Sequence, residues 1–239
     1  MKVLEPSESH IYLLEIDRMV SRLRHFNSYL SIDEKYRASR FRFKKDENCF
    51  LTTRGALRLL ASKYVGILPK DIIFKKESFG KPKFDHVIGL DFNVSHSGNL
   101  AMIGFCLDHH LGVDVEMIKT DFDIMDIAKN YFYGREIMTL EALPSEKRHE
   151  GFFSLWTRKE AIIKYDGRGL GIPLNSFSVS LDSITPSKIS KINWNSEGSE
   201  ENDLYAIPTT EGYKAAFSVH RSIKKFQLFD TDYFLALKS

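Results

Sequence analysis

Hydrophobic and polar positions alternate along several short stretches of this chain, and the clearest is Leu111-Gly112-Val113-Asp114-Val115-Glu116. A period of two puts Leu111, Val113 and Val115 on one face of a strand and Gly112, Asp114 and Glu116 on the other. Further strands are predicted over 10–16 and 71–76, and as a pair over 92–96 and 100–106 around Ser97-Gly98-Asn99. Elsewhere the period is helical. A polar helical stretch covers 17–30, and Ser31 with Glu34 has the form of a capping box opening the next helix. Phe50, Leu51, Leu57, Leu60 and Ala61 form an apolar stripe at spacings of three and four, so a helix is predicted over 46–65 with Gly66 as its stop. A turn is expected at 80–82.

The second part of the chain repeats this order loosely. Helices are predicted at 123–129, 134–142 and 154–165, followed by strands at 176–182, 204–209 and 213–221. Helices before a small strand meander, twice over, imply an α+β fold of two similar halves. The stretch 195–203 reads as a solvated acidic loop.

Composition narrows the class. A net charge of +2 gives no global reason to expect nucleic acid or a membrane surface, so electrostatics must act locally. Cys49 and Cys106 lack metal-ligand spacing, no disulfide framework is visible, and a cytoplasmic setting is the expectation. No run approaches a membrane span, and the first residues do not form the apolar core of a signal peptide. The eight histidines show no zinc-ligand pattern.

Three clusters carry candidate chemistry. Asp114 and Glu116 lie about 6–7 Å apart along one strand face, a spacing at which like charges repel unless a cation separates them. They offer hard oxygen ligands for Mg²⁺, or else make an ordinary solvent-facing edge. On the predicted helix Trp156, Glu160 and Lys164 share a face; Glu160 and Lys164 also fit a plain surface i,i+4 pair. Lys35, Arg37, Arg40, Arg42, Lys44 and Lys45 crowd one short window, with Arg54, Lys81, Ser95 and His96 further on, a supply of donors suited to several phosphates or to a solvated helix face. Together, three acids, a lysine and a basic patch make the inventory for Mg²⁺-assisted transfer of a phosphoryl-type group.

The order FGKPKF, FNVSHSG, GVDVE, FFSLWTRKEAIIK and GRGLGIPL resembles the 4′-phosphopantetheinyl transferases, in particular their large surfactin-synthetase-activating type. The resemblance covers residues 35–178. It implies a monomer of two pseudo-symmetric halves, each a mainly antiparallel sheet packed with helices: 1–110 for coenzyme A and 111–239 for metal ligands and carrier contact. It implies transfer of the phosphopantetheine arm of coenzyme A to a serine of an apo acyl or peptidyl carrier protein, releasing 3′,5′-ADP. By position, Asp114, Glu116 and Glu160 would hold Mg²⁺ (or Mn²⁺), with Glu160 also the general base. Lys164 would contact the diphosphate, and Arg54, Lys81, Ser95, His96, Lys159 and Lys44 would hold coenzyme A. Carrier docking is expected over 123–142, where Ile124, Met125 and Phe132 are either its apolar contacts or residues of the core. Two other readings fit parts of the inventory: a Mg²⁺-dependent nuclease or phosphodiesterase, which the near-neutral charge disfavours, and a non-catalytic module that binds coenzyme A or carrier.

Overall fold

The computed structural model describes residues 2–85, 87, 89–181, 189–191 and 202–237 of the 239-residue chain. β1 (Glu8–Glu15) opens the first half. A 3₁₀ turn at Asp17–Arg22 and α1 (Leu23–Tyr29) replace the single helix expected over 17–30. α2 (Ile32–Ser39) begins at the Ser31–Glu34 capping box, with both reciprocal bonds formed. α3 (Lys44–Val65) buries Leu57, Leu60 and Ala61, and Gly66 closes it at φ 70°, the left-handed position a glycine adopts without strain. β2 (Phe74–Lys76) and β3 (Pro82–Phe84) form a small hairpin, followed by β4 (Leu90–Ser97) and β5 (Leu100–Leu107). The strand expected over 71–76 therefore forms only in its second part. Pro69–Asp71 takes a 3₁₀ turn, and the Ile72 carbonyl accepts from buried Arg58 at 2.9 Å instead of entering a ladder.

β6 (Leu111–Met117) opens the second half. Then come α4 (Ile124–Tyr131), α5 (Gly134–Glu141) and α6 (Ser145–Asp166), which begins well before the predicted residue 154. Gly151 lets the early part of α6 pass the α5 corner, since a Cβ there would stand 2.5 Å from Leu143. β7 (Phe177–Val179), β8 (Ile189–Lys191), β9 (Asn202–Ile207) and β10 (Tyr213–His220) follow. The strand expected over 176–182 forms only over Phe177–Val179, and most of the acidic stretch 195–203 lies outside the described residues. β11 (Lys225–Phe229) and α7 (Thr231–Ala236) complete the chain and were not legible as elements.

Both halves thus use one plan, with a correction to the predicted order: each opens on a strand, not on helices. β1 and β6 each pair antiparallel with the second strand of a later hairpin, β5 and β10. The sheets run β11-β1-β5-β4 and β6-β10-β9, and α3 and α6 are both 22 residues long. β11 crosses back to pair in parallel with β1, so the tail belongs spatially to the first sheet.

Three cores result. α1, α3 and the tail cover one face of the first sheet through Phe26, Leu60, Phe92, Phe105 and Phe234. α4, α5 and α6 pack together through Phe132, Leu140, Phe152 and Ile162. Between the halves, Ile11, Leu100 and Met102 meet Leu111, Val113, Val115 and Phe217. Removing these side chains from water, at about 25 cal/mol per Å² of apolar surface, holds the halves in one register. Among the described residues no helix is long and apolar enough to cross a membrane.

Candidate functional site

β6 is covered on both faces along Leu111–Val115. Leu111, Val113 and Val115 are fully buried in the core between the halves. The opposite face is closed by α6, which Gly112 admits: a Cβ at Gly112 would lie 2.0 Å from the Ala161 carbonyl oxygen and 2.3 Å from the Tyr165 nitrogen. This backbone contact brings Glu160 and Lys164 of α6 to the cavity lined by Asp114 and Glu116.

The first half contributes the third side. Asn93, Ser95 and Ser97 alternate on β4 and reach β6. The Asn93 Oδ1 accepts from the Val113 N–H at 3.0 Å, and the Ser97 Oγ accepts from the Met117 N–H at 3.1 Å. Side chains, not a backbone ladder, therefore join the two sheets along this seam. The Ser97 hydroxyl donates to Glu116 at 2.6 Å. The Ser95 hydroxyl donates to Asp114 Oδ1 at 2.9 Å, while the Lys164 ammonium donates to Asp114 Oδ1 at 2.7 Å and to Ser95 Oγ at 2.9 Å.

Ser95, Asp114, Glu116, Glu160 and Lys164 line a cavity of about 890 Å³, walled also by Val94, His96, Ile127, Tyr131, Trp156 and Leu174. Burial, and then the charge of Asp114, raise the Glu160 carboxyl above the usual glutamate range. Glu116 is raised too, by burial first and by Asp114 against the opposing Ser97 hydrogen bond. Partial desolvation, then the positive charges of Lys164 and Arg37, hold His96 below the ordinary imidazole range. Asp114, Glu116 and Glu160 thus crowd negative charge into the cavity, with the Lys164 ammonium among them.

A divalent cation fits the chemistry of the interior. Asp114 is 2% exposed and its Oδ2 is a buried oxygen without a hydrogen-bond partner, and Glu116 and Glu160 line the same cavity. Among the described residues no three His, Cys, Asp or Glu side chains stand as a ready metal shell, and the Lys164 ammonium is the cation paired with Asp114.

Of the residues expected from sequence, Asp114, Glu116, Glu160, Lys164, Ser95 and His96 line this cavity. Four others do not. Lys159 is fully buried, its ammonium bonded to Glu136 and to the Leu174 and Phe177 carbonyls. Arg54 pairs with Glu34 at 3.4 Å and lies over the Phe74 ring. Lys81 turns to the Leu111 carbonyl at 3.1 Å and toward Asp91 at 3.7 Å. Lys44 is exposed and pairs with Glu47 at 2.9 Å. Ile124 and Phe132 are core residues and Met125 packs against that core; the exposed apolar side chains nearby are Tyr131 and Met138. Gly112, Asn93, Ser97 and the wall residues Ile127, Tyr131 and Leu174 were not singled out. The alternation Asn93-x-Ser95-x-Ser97 was the available signal for the seam.

Two family models match this chain in succession. One, described as the 4′-phosphopantetheinyl transferase superfamily, matches residues 110–218; the other, described as 4′-phosphopantetheinyl transferase, N-terminal, matches residues 18–106. With β4 of the first half and β6, α4 and α6 of the second meeting at one acidic cavity, the chain belongs to the 4′-phosphopantetheinyl transferase superfamily. It is similar to the 4′-phosphopantetheinyl transferase HetI of a Nostoc species, at 35% identity over 76% of this chain and 78% of that protein. It is similar also to the 4′-phosphopantetheinyl transferase Sfp of Bacillus subtilis, at 33% identity over 72% and 76%, and to the transferase gsp of Aneurinibacillus migulanus, at 31% over 84% and 80%.

Proposed function

We propose that this protein moves the 4′-phosphopantetheine group of coenzyme A onto a serine hydroxyl of an apo acyl or peptidyl carrier protein, with Mg²⁺ or Mn²⁺ held by Asp114, Glu116 and Glu160. The observation that carries this reading is the convergence of these acids with Lys164 and His96 on one cavity at the seam of the halves. A bound divalent ion supplies positive charge for the diphosphate oxygens.

The remaining roles belong to the chain. His96 and Ser95 from β4, with the basic residues of 35–45, hold the nucleotide end of coenzyme A. Glu160, made more basic than a free glutamate by burial and by neighbouring negative charge, accepts the serine proton as the serine oxygen bonds to phosphorus. The bond from phosphorus to the departing 3′,5′-ADP oxygen breaks in the same step, and the Lys164 ammonium shifts from Asp114 toward the charge that gathers there. The surface of α4 and α5, with Tyr131 and Met138 exposed, receives the carrier.

Both halves contribute to a single cavity within one chain, which supports a monomer. Both cysteines are free, which supports a cytoplasmic setting. Incubation with coenzyme A, Mg²⁺ and a panel of apo carriers should add the mass of one phosphopantetheine arm to at least one of them, and chelation should stop it. No added mass on any fatty-acid, polyketide or peptide carrier would reject the reading.

A further inference from the structure

The residue before Glu160 on α6 points away from the cavity and ends in the only fully buried lysine ammonium among the described ion pairs. Lys159 donates to the Leu174 carbonyl at 2.8 Å, to the Phe177 carbonyl at 2.7 Å and to Glu136 Oε2 at 2.8 Å, so its three donors meet three acceptors. The ammonium also sits 4.4 Å from the centre of the Phe177 ring and 5.5 Å from that of Phe132. Glu136 is 2% exposed. Its Oε1 accepts from the Val179 N–H at 2.8 Å, and its Oε2 accepts from the Tyr133 N–H at 3.0 Å as well as from Lys159.

A single ion pair thus ties together α6, the corner between α4 and α5, the turn carrying Leu174, and the start of β7. An apolar pair of similar volume gives comparable or greater stability at such a site, so stability alone is a weak reason for two buried charges. The bolted elements have something else in common. Ile127 and Tyr131 come from α4, Leu174 from the turn, and Trp156, Glu160 and Lys164 from α6, and all six line the candidate active cavity.

We propose that Lys159 and Glu136 are positioning residues for the transfer reaction: they fix the apolar wall of the cavity against α6 and so set where Glu160 and Lys164 stand relative to the reacting atoms. Neither residue touches substrate. This role rests on the transferase reading above.

The test is the double variant E136L/K159M, which removes both charges while keeping apolar bulk. It should fold with a lowered melting temperature, because the Val179 and Tyr133 N–H groups and the Leu174 and Phe177 carbonyls lose their partners, and turnover is therefore compared well below the melt. Its kcat for carrier labelling should fall about 10²-fold, the scale of a misplacement near 1 Å. The KM for coenzyme A should change less than about threefold, because the nucleotide end is held by β4 and α2, outside the bolted elements. Wild-type kcat in the folded double variant would overturn the proposal. If that variant does not fold, E136D keeps the charge and shortens the reach; a folded E136D should show the same loss of kcat with KM unmoved, and wild-type turnover in it would overturn the proposal. Failure of both variants to fold would make the pair a condition of folding and overturn its assignment as a positioning device. A wild-type protein that labels no carrier removes the transferase reading and this role together, whereas an active wild type matched by its variant removes this role alone.

Discussion

Asp114 shows how one side chain can carry different meanings at different levels of description. On the strand pattern it is a polar residue on the face away from the core; in the fold it is 2% exposed, with one oxygen bonded to Lys164 and Ser95 and the other unpartnered. D114N keeps the shape and removes the charge. Transfer should fall by about 10²–10³-fold, the scale for losing one electrostatic partner of a reacting group, while the melting temperature stays near that of the wild type. His10 is a second buried polar residue, far from the cavity in the fold plan. It lies in β1 against Tyr64 at 2.7 Å, and burial holds its ring below the usual imidazole range despite the opposing charge of Glu8. The folded state therefore prefers the neutral ring, and the unfolded chain binds more protons between the lowered value and about 6.5. Stability is fully expressed above about pH 6.5 and declines as pH falls through that window. Thermal melts at pH 5 and pH 7 should differ more for the wild type than for H10Q; equal differences would remove His10 from the account.

At the scale of elements, the meeting of β6 with α6 decides whether there is a site at all. Gly112 has no unusual torsion to accommodate; it is small because the α6 backbone passes over it. G112A places a methyl group 2.0 Å from a carbonyl oxygen, a clash with backbone and not with a mobile side chain. α6 must then lift, costing about 1–3 kcal/mol or more and moving Glu160 and Lys164 away from Asp114. Loss of stability and of turnover together is expected, readable from a denaturant melt and a labelling assay on the same sample. The helical spacing of Trp156, Glu160 and Lys164 was legible because a helix repeats regularly, and all three do line the cavity. Lys159, Arg54, Lys81 and Lys44, expected at coenzyme A, have Glu136, Glu34, Asp91 and Glu47 as their carboxylate partners. A basic residue carries the same charge in a pattern whether its partner is a ligand, a buried glutamate or a carbonyl, and only packing selects among them.

Over the whole molecule, two halves built on one plan share a core and exchange an element. β6 opens the second half while its apolar face packs on the first, and β11 returns to pair with β1. Phe229 and Phe234, contributed by the tail, are 6% and 0% exposed in the first core. Removing residues 225–239 should therefore unfold the first half although no cavity residue is deleted. Loss of one buried Phe alone is on the order of 3–5 kcal/mol, against a typical total of about 5–15. Circular dichroism should show a large drop in melting temperature or loss of soluble protein; an unchanged melt would mean that the tail is dispensable.

The sequence by itself determined what depends on neighbours along the chain. The Ser31–Glu34 cap, the α3 stop at Gly66, the alternation of β6 and the shared face of Trp156, Glu160 and Lys164 all follow from local periods and local hydrogen bonds. The tertiary structure alone decided that both faces of β6 are buried, that Asn93 and Ser97 sew the sheets together, that Lys159 faces Glu136, and that the tail belongs to the first half. Those outcomes rest on contacts between residues far apart in the chain, where burial and the pairing of polar groups depend on which surface arrives opposite.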